Sequence, residues 1–247
     1  MITIRHLSHR FDDGTLGICD IDLDIAAGEF VAIVGANGSG KTTLLRHFNG
    51  LLLPTEGEIR LKGQPVTRDL KRARQTVGMV FQDADSQIVG ETVFDDVAFG
   101  PQNLCLPPET VRARVESALG VVGLLDKGHL RPHLLSGGEK RRLAIVGILA
   151  MQAEVIVFDE PFSDLDYPGV RQMLARMLAL RDSGATLVVT THDIEKLLPH
   201  TERVVLMAAG RIQADGPPET VLPQLEAFAV RAPCTTRLGL EPQSWLN

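Results

Sequence analysis

Phe30-Val31-Ala32-Ile33-Val34 runs directly into Gly35-Ala36-Asn37-Gly38-Ser39-Gly40-Lys41-Thr42, and from there into Thr43-Leu44-Leu45-Arg46-His47-Phe48. A continuous apolar run of five reads as a strand buried on both faces. The octet that follows fits GxxxxGK[ST] in full, and it stands where that pattern has physical meaning, after a strand and opening a helix. Glycines let the backbone curl until its N–H groups converge on phosphate oxygens, and the helix N-terminus adds positive potential. In such a loop Lys41 reaches the β- and γ-phosphates and the Thr42 hydroxyl is a ligand for Mg²⁺. The helix is expected over about Lys41 to Asn49, stopped by Gly50.

Working outward, Ile2 and Ile4 alternate, as do Ile21, Leu23 and Ile25, with the polar turn Asp12-Asp13-Gly14 between them. These are short strands. Glu58 to Lys62 and Val77 to Phe81 are further strand candidates. From about Glu91 to Met151 the pattern is mostly helical, and Pro107-Pro108 opens a helix with Val111, Val115, Ala118 and Leu119 on one face. Val155 to Phe158 and Thr186 to Thr190 have the composition of central parallel strands, and Val170, Met173, Leu174, Met177 and Leu178 mark a helix between them. This is α/β alternation interrupted by a helical insert. From Ala232 onward the chain has three breakers and little periodicity, and a surface tail is expected.

The chain has 247 residues, 44% hydrophobic and 23% charged, with 25 basic against 31 acidic residues, a net charge of −6. That is globular composition, and the acidic balance argues against a nucleic-acid partner. Cys19, Cys105 and Cys234 are scattered without metal or redox spacing, as in reduced cytosolic proteins. The first residues lack the pattern of a signal peptide, and the longest apolar run, Leu143 to Met151, is far too short to span a bilayer. Any membrane role must come through a partner.

Val155-Ile156-Val157-Phe158-Asp159-Glu160 is the second chemical element. An apolar strand that delivers a carboxylate at its C-terminal end is how phosphate-loop proteins hold Mg²⁺. Asp159 would act through the metal's water shell, since Mg²⁺ dehydrates reluctantly. Glu160, one residue on, is placed to polarise an attacking water as general base.

Leu135-Ser136-Gly137-Gly138-Glu139 is the third element. With it the chain resembles the nucleotide-binding subunits of ABC transporters, whose signature is LSGGQ, with Glu139 in place of the more usual glutamine. The resemblance implies a P-loop NTPase (RecA-like) α/β core with an N-terminal antiparallel β subdomain and an inserted α-helical subdomain. It implies one ATPase domain over 1–230, the insert at approximately 83–150, and a tail at 231–247. ATP would bind at Gly35, Asn37, Gly38, Ser39, Gly40, Lys41, Thr42 and Thr43, with the Phe11 ring stacked on adenine. Ser136, Gly137, Gly138 and Glu139 would complete the ATP site of the opposite subunit, so that two chains sandwich two nucleotides. Gln82 would contact Mg²⁺ and the water alongside Thr42 and Asp159, and His192 the γ-phosphate. Ser163-Asp164-Leu165-Asp166 would cross the dimer interface, with Asp164 where the family has a small or apolar residue.

The segment from Phe81 to Gly100 is similar to the ATPase subunits of energy-coupling factor importers, which take up cobalt, nickel and vitamins. Gln87, Thr92-Val93, Asp96-Val97-Ala98-Phe99-Gly100 and Asn103 match, and Asp83-Ala84 stands where those proteins have Asn-Pro. This likeness implies integral membrane transporter subunits as partners, a second ATPase subunit (a copy or a relative), and a peripheral position on the cytoplasmic face of the cell membrane. Cobalt is the favoured cargo, with biotin or another vitamin next. Asp85, Glu91, Asp95 and Asp96 suggest an acidic lining for a basic residue on an incoming membrane-subunit helix. Other ABC importers or exporters, and ABC ATPases that transport nothing, are the alternatives. The latter usually carry two cassettes, long coiled coils or basic arms, which this chain lacks.

Overall fold

The computed structural model describes residues 1–83, 85–163 and 165–246. The departures noted at Ala84 and Asp164 lie outside the described residues. Strands β1 (Ile2–Arg10) and β2 (Leu16–Ile25) form an antiparallel hairpin that pairs Ile2 with Ile25 and Ile4 with Leu23. Their alternation turns all four side chains into the core. Strand β3 (Phe30–Val34) is buried throughout and leads through the glycine loop into α1 (Lys41–Phe48). Strands β4 (Glu56–Leu61) and β5 (Gln64–Pro65) complete an antiparallel sheet of order β2-β1-β4-β5.

Helix α2 (Leu70–Thr76) precedes β6 (Val77–Val80). The insert follows as α3 (Val93–Asn103), α4 (Pro108–Val121) and α5 (Gly137–Met151). It has its own apolar cluster, in which Val97, Val115, Leu119, Leu143 and Val146 meet. The chain then returns to the main sheet through β7 (Val155–Asp159), α6 (Tyr167–Asp182), β8 (Thr186–Thr191), β9 (Arg203–Ala208) and β10 (Arg211–Gly216). Short helices α7 (Pro218–Val221) and α8 (Cys234–Leu238) follow.

The main sheet has the order β10-β9-β3-β8-β7-β6, parallel apart from the β9–β10 hairpin. Successive residues of its strands serve two cores. Val31, Ile33, Val157 and Val188 face α1 and the antiparallel sheet, while Ala32, Val34, Phe158 and Val189 face α6 and the C-terminal segments. The register places Val34 beside Thr191 and Asp159 beside Thr190. The glycine loop, the Asp159-Glu160 pair and His192 therefore leave the sheet side by side at the carboxyl ends of three adjacent strands, where open α/β sheets bind ligands.

Strands β9 and β10 and helix α2 went unread in the sequence, although Val204-Val205-Leu206-Met207 is as apolar as β3 and ends at Ala209-Gly210. The stretch expected as a surface tail contains α8, and its last residues are held down. The Trp245 ring centroid lies 5.7 Å from that of Tyr167, Lys196 Nζ stands 5.4 Å from the Trp245 centroid, and Arg171 donates to the Leu246 carbonyl at 2.9 Å. No helix among the described residues is long and apolar enough to cross a membrane.

Candidate functional site

The glycine loop is shaped by what stands against it. A Cβ on Gly35 would come within 2.4 Å of the Met207 carbonyl. Gly40 has φ 99°, and a Cβ there would meet the Gly17 carbonyl at 2.9 Å. Side chains are excluded from both positions, and the strand-to-helix turn is correspondingly tight. No side chain caps α1, so its first N–H groups remain open to an anion.

Lys41 is buried, and its ammonium donates to the carbonyls of Gly35 at 2.7 Å and Ala36 at 3.1 Å. It also lies 3.7 Å from Glu160 Oε1. Burial pushes the Lys41 pKa down, and the charges of Glu160 and Asp159 oppose the shift. The Thr42 hydroxyl donates to Asp159 Oδ2 at 2.7 Å. Thr190, from the neighbouring strand, donates to Asp159 Oδ1 at 2.6 Å. Thr42 and Asp159 thus form an adjacent all-oxygen donor pair, the ligand chemistry that suits a hard cation such as Mg²⁺.

Glu160 holds a left-handed backbone, φ 50°. Its N–H donates to the Thr190 carbonyl at 3.2 Å, which aims its side chain back across the strand ends. Oε2 lies 2.9 Å from His192 Nδ1, which donates to it when protonated there. Oε1 is buried and receives no hydrogen bond among the described residues. One carboxylate oxygen is therefore held and the other is left to accept, a disposition suited to taking a proton from water. Phe11 is half-exposed beside this assembly. A Cβ on Gly17 would lie 2.8 Å from its ring and 3.1 Å from Thr43, so ring, bare backbone and phosphate-loop helix lie together.

Ser136, Gly137 and Gly138 line a separate cleft of about 920 Å³ with Gln82, Asp83 and Asp166. No residue of 35–43 lines it. Within one chain, then, Gln82 shares a cleft with the signature motif. Glu139, grouped with that motif by sequence, is not among the cleft-lining residues. Its Oε2 accepts from the Ser136 N–H at 2.9 Å and Oε1 is ion-paired with Lys127, while Ser136 Oγ accepts from the Glu139 N–H at 3.3 Å. This is a reciprocal helix cap. The Lys127 ammonium and the Ser136 N–H hold the Glu139 pKa down at about 2.

Of the acids expected to line a groove near Gln82, Asp85 lines the cleft that holds Gln82, and three have partners within the chain. Asp85 is paired with Lys140 at 2.7 Å. Asp95 accepts from the Thr92 hydroxyl at 2.6 Å, and Asp96 Oδ1 takes the N–H groups of Val89 and Gly90 at 2.8 and 3.0 Å. Asp95 and Asp96 thus serve the cap and the entry turn of α3, which spacing alone does not reveal. The insert also carries a groove of about 790 Å³, mainly apolar through Phe94, Leu106, Val111, Leu119 and Leu125, with Arg112, Glu116 and His129 also lining it.

Comparison with known proteins bears on the whole assembly. The ABC transporter family model matches residues 18–163. The energy-coupling factor transporter ATP-binding protein EcfA of Methanocaldococcus jannaschii is 44% identical over 92% of this chain and 83% of its own length. The cobalt import ATP-binding protein CbiO of Rhodobacter capsulatus is 42% identical over 97% of this chain and 88% of its own. Among solved structures, cbiO1 from Clostridium perfringens, part of the ABC transporter complex cbiONQ, superposes with a TM-score of 0.81 at 33% identity, covering 96% of this chain and 98% of that one. An ATP-binding cassette solved as a dimer in a post-hydrolysis state, bound to ADP and phosphate, gives a TM-score of 0.79 at 28% identity over 88% of this chain and 98% of that one.

Proposed function

The chain belongs to the ABC transporter family, in its energy-coupling factor branch, and on that premise we propose that it is the ATP-hydrolysing subunit of an importer for a transition-metal ion, cobalt first, or else a vitamin such as biotin. It works at the cytoplasmic face of the membrane, bound to integral membrane subunits that carry the cargo. The apolar groove beside Phe94 supports this reading, because it is a surface fit to receive a helix from such a subunit.

ATP lies with its phosphates in the loop from Gly35 to Thr42 and its base against Phe11. Lys41 meets the β- and γ-phosphates. Thr42, Asp159 through water, and Gln82 would hold Mg²⁺, which when bound neutralises charge on the phosphates. Glu160 Oε1 accepts a proton from the attacking water while His192 holds Oε2. Ser136, Gly137 and Gly138 of a second subunit close over the γ-phosphate, which accounts for a signature cleft that no phosphate-loop residue of the same chain lines. Closure is a two-state switch, driven by ATP because the closed form binds it more tightly. Catalysis is positioning and electrostatic stabilisation around phosphoryl transfer to water.

The observation that carries this mechanism is Glu160, buried beside Lys41 with one oxygen on His192 and the other without a donor. Affinity purification from native membranes, paired with cobalt uptake by cells carrying the chain or its Glu160→Gln variant, tests the proposal. Integral membrane subunits should co-purify, and the variant should abolish uptake. Recovery without membrane subunits, or unchanged uptake, refutes the coupling role. Vitamin uptake in place of cobalt uptake would reassign the cargo.

A further inference from the structure

Glu139 puts a carboxylate at the start of the helix that is to face another subunit's ATP. That is a position where negative charge opposes the nucleotide, and the structure compensates it locally. Lys127 lies on the short turn Leu125–Lys127 and ion-pairs with Glu139 Oε1. The other cation nearby, Arg142, remains 3.8 Å from that oxygen and donates to Gln172 at 2.9 Å. The Lys127 turn is itself anchored to the start of α3. Phe94 N–H donates to the Gly128 carbonyl and Val93 N–H to that of Leu130, both at 2.9 Å. The ammonium is thus delivered by backbone that the insert holds in place, and the Glu139 side chain is only 16% exposed.

We infer that Lys127 is a positioning residue for ATP hydrolysis, neutralising Glu139 so that the Ser136-Gly137-Gly138 helix start can approach the γ-phosphate of the opposite subunit. The inference rests on the proposed role of that helix start across the dimer. A glutamine at 139 would still cap the Ser136 N–H through its amide oxygen, but it would need no counter-charge. Lys127 is therefore required only while residue 139 is a carboxylate. It acts after nucleotide has bound, because each chain binds ATP through its own phosphate loop.

The test measures Mg-ATP hydrolysis and nucleotide affinity of the full chain in four forms: unaltered, Lys127→Ala, Lys127→Ala with Glu139→Gln, and Ser136→Arg. Lys127→Ala is expected to lower kcat about tenfold, the effect of one uncompensated charge worth roughly 1.4 kcal/mol, with nucleotide affinity unchanged. Adding Glu139→Gln to Lys127→Ala should restore most of the rate, a rescue that a merely structural lysine would not give. Ser136→Arg should abolish hydrolysis. A Lys127→Ala rate within twofold of the unaltered chain, or a double variant no faster than Lys127→Ala, overturns the inference while leaving the cross-subunit reading in place. Normal hydrolysis by Ser136→Arg overturns both.

Discussion

Thr190 and Asp159 meet across the β7–β8 pair, the hydroxyl donating to Oδ1 at 2.6 Å from a side chain with no solvent exposure. With Thr42 on Oδ2, both oxygens of the carboxylate are engaged and its orientation is set from two elements. Thr190→Val keeps the shape and removes the donor. Stability should fall by about 2 kcal/mol, as for a lost hydrogen bond to a buried charged group. Hydrolysis should fall about tenfold as Asp159 loses its alignment, and Thr190→Ser should recover both. Thermal melts and steady-state kinetics check this, and a Thr190→Val enzyme with an unaltered rate would show that Thr42 alone suffices.

Glu160→Gln keeps volume and the His192 contact but cannot accept a proton. Hydrolysis should drop by a factor on the order of 10²–10⁴. ATP still binds, so the closed dimer should accumulate. Size-exclusion chromatography with Mg-ATP should show a dimer for the variant, and a purely monomeric profile with sustained turnover would assign the base elsewhere.

His47, in the last turn of α1, is fully buried. Its Nδ1 donates to the Thr43 carbonyl at 2.8 Å, and its ring stands edge-on to that of His9 at 4.9 Å. Burial holds its pKa down to about 4. The unfolded chain takes up this proton near pH 6.5 and the folded chain does not, so the site does not affect stability above about pH 7. Stability falls as pH drops from about 6.5 towards 4, by up to roughly 3 kcal/mol. Urea melts at pH 7.5 and pH 5 should show a smaller pH-dependent loss for His47→Gln than for the unaltered chain. Equal losses would place the acid sensitivity in other groups.

Asp96 fastens the turn that enters α3 by taking two backbone N–H groups on one oxygen. Asp96→Asn retains an acceptor and Asp96→Ala does not. The alanine variant should be less stable than the asparagine variant by about 1 kcal/mol, read as a lower urea midpoint. Equal midpoints would mean that solvent replaces the carboxylate at no cost.

What the sequence disclosed follows from what is local. The β3–loop–α1 unit is a run of apolar residues, a glycine pattern and a helix in immediate succession, and each is written within a few residues. The four-residue face of α4 was legible for the same reason: Val111, Val115, Ala118 and Leu119 are all buried. The partnership of Thr190 with Asp159 was not legible, since it depends on the register of two strands 31 positions apart. Ser136 and Glu139 have capping-box spacing, so the inward turn of Glu139 was available to a reader of helix caps. Lys127, twelve positions from Glu139, meets it only because the insert folds its turn against α5. The acids from Asp85 to Asp96 show the converse: composition counts charges, and it does not say which already have a partner within the chain.

The left-handed backbone at Glu160 sets two demands against each other. A non-glycine residue at φ 50° costs on the order of 1 kcal/mol, and a buried carboxylate oxygen without a donor adds to that. Glycine would relieve both, but it would also remove the counter-charge beside the buried Lys41 and the contact to His192. The glutamate is held against the preference of its own backbone by the cation and the imidazole beside it, so the phosphate site is kept in order by the same carboxylate that would do its chemistry.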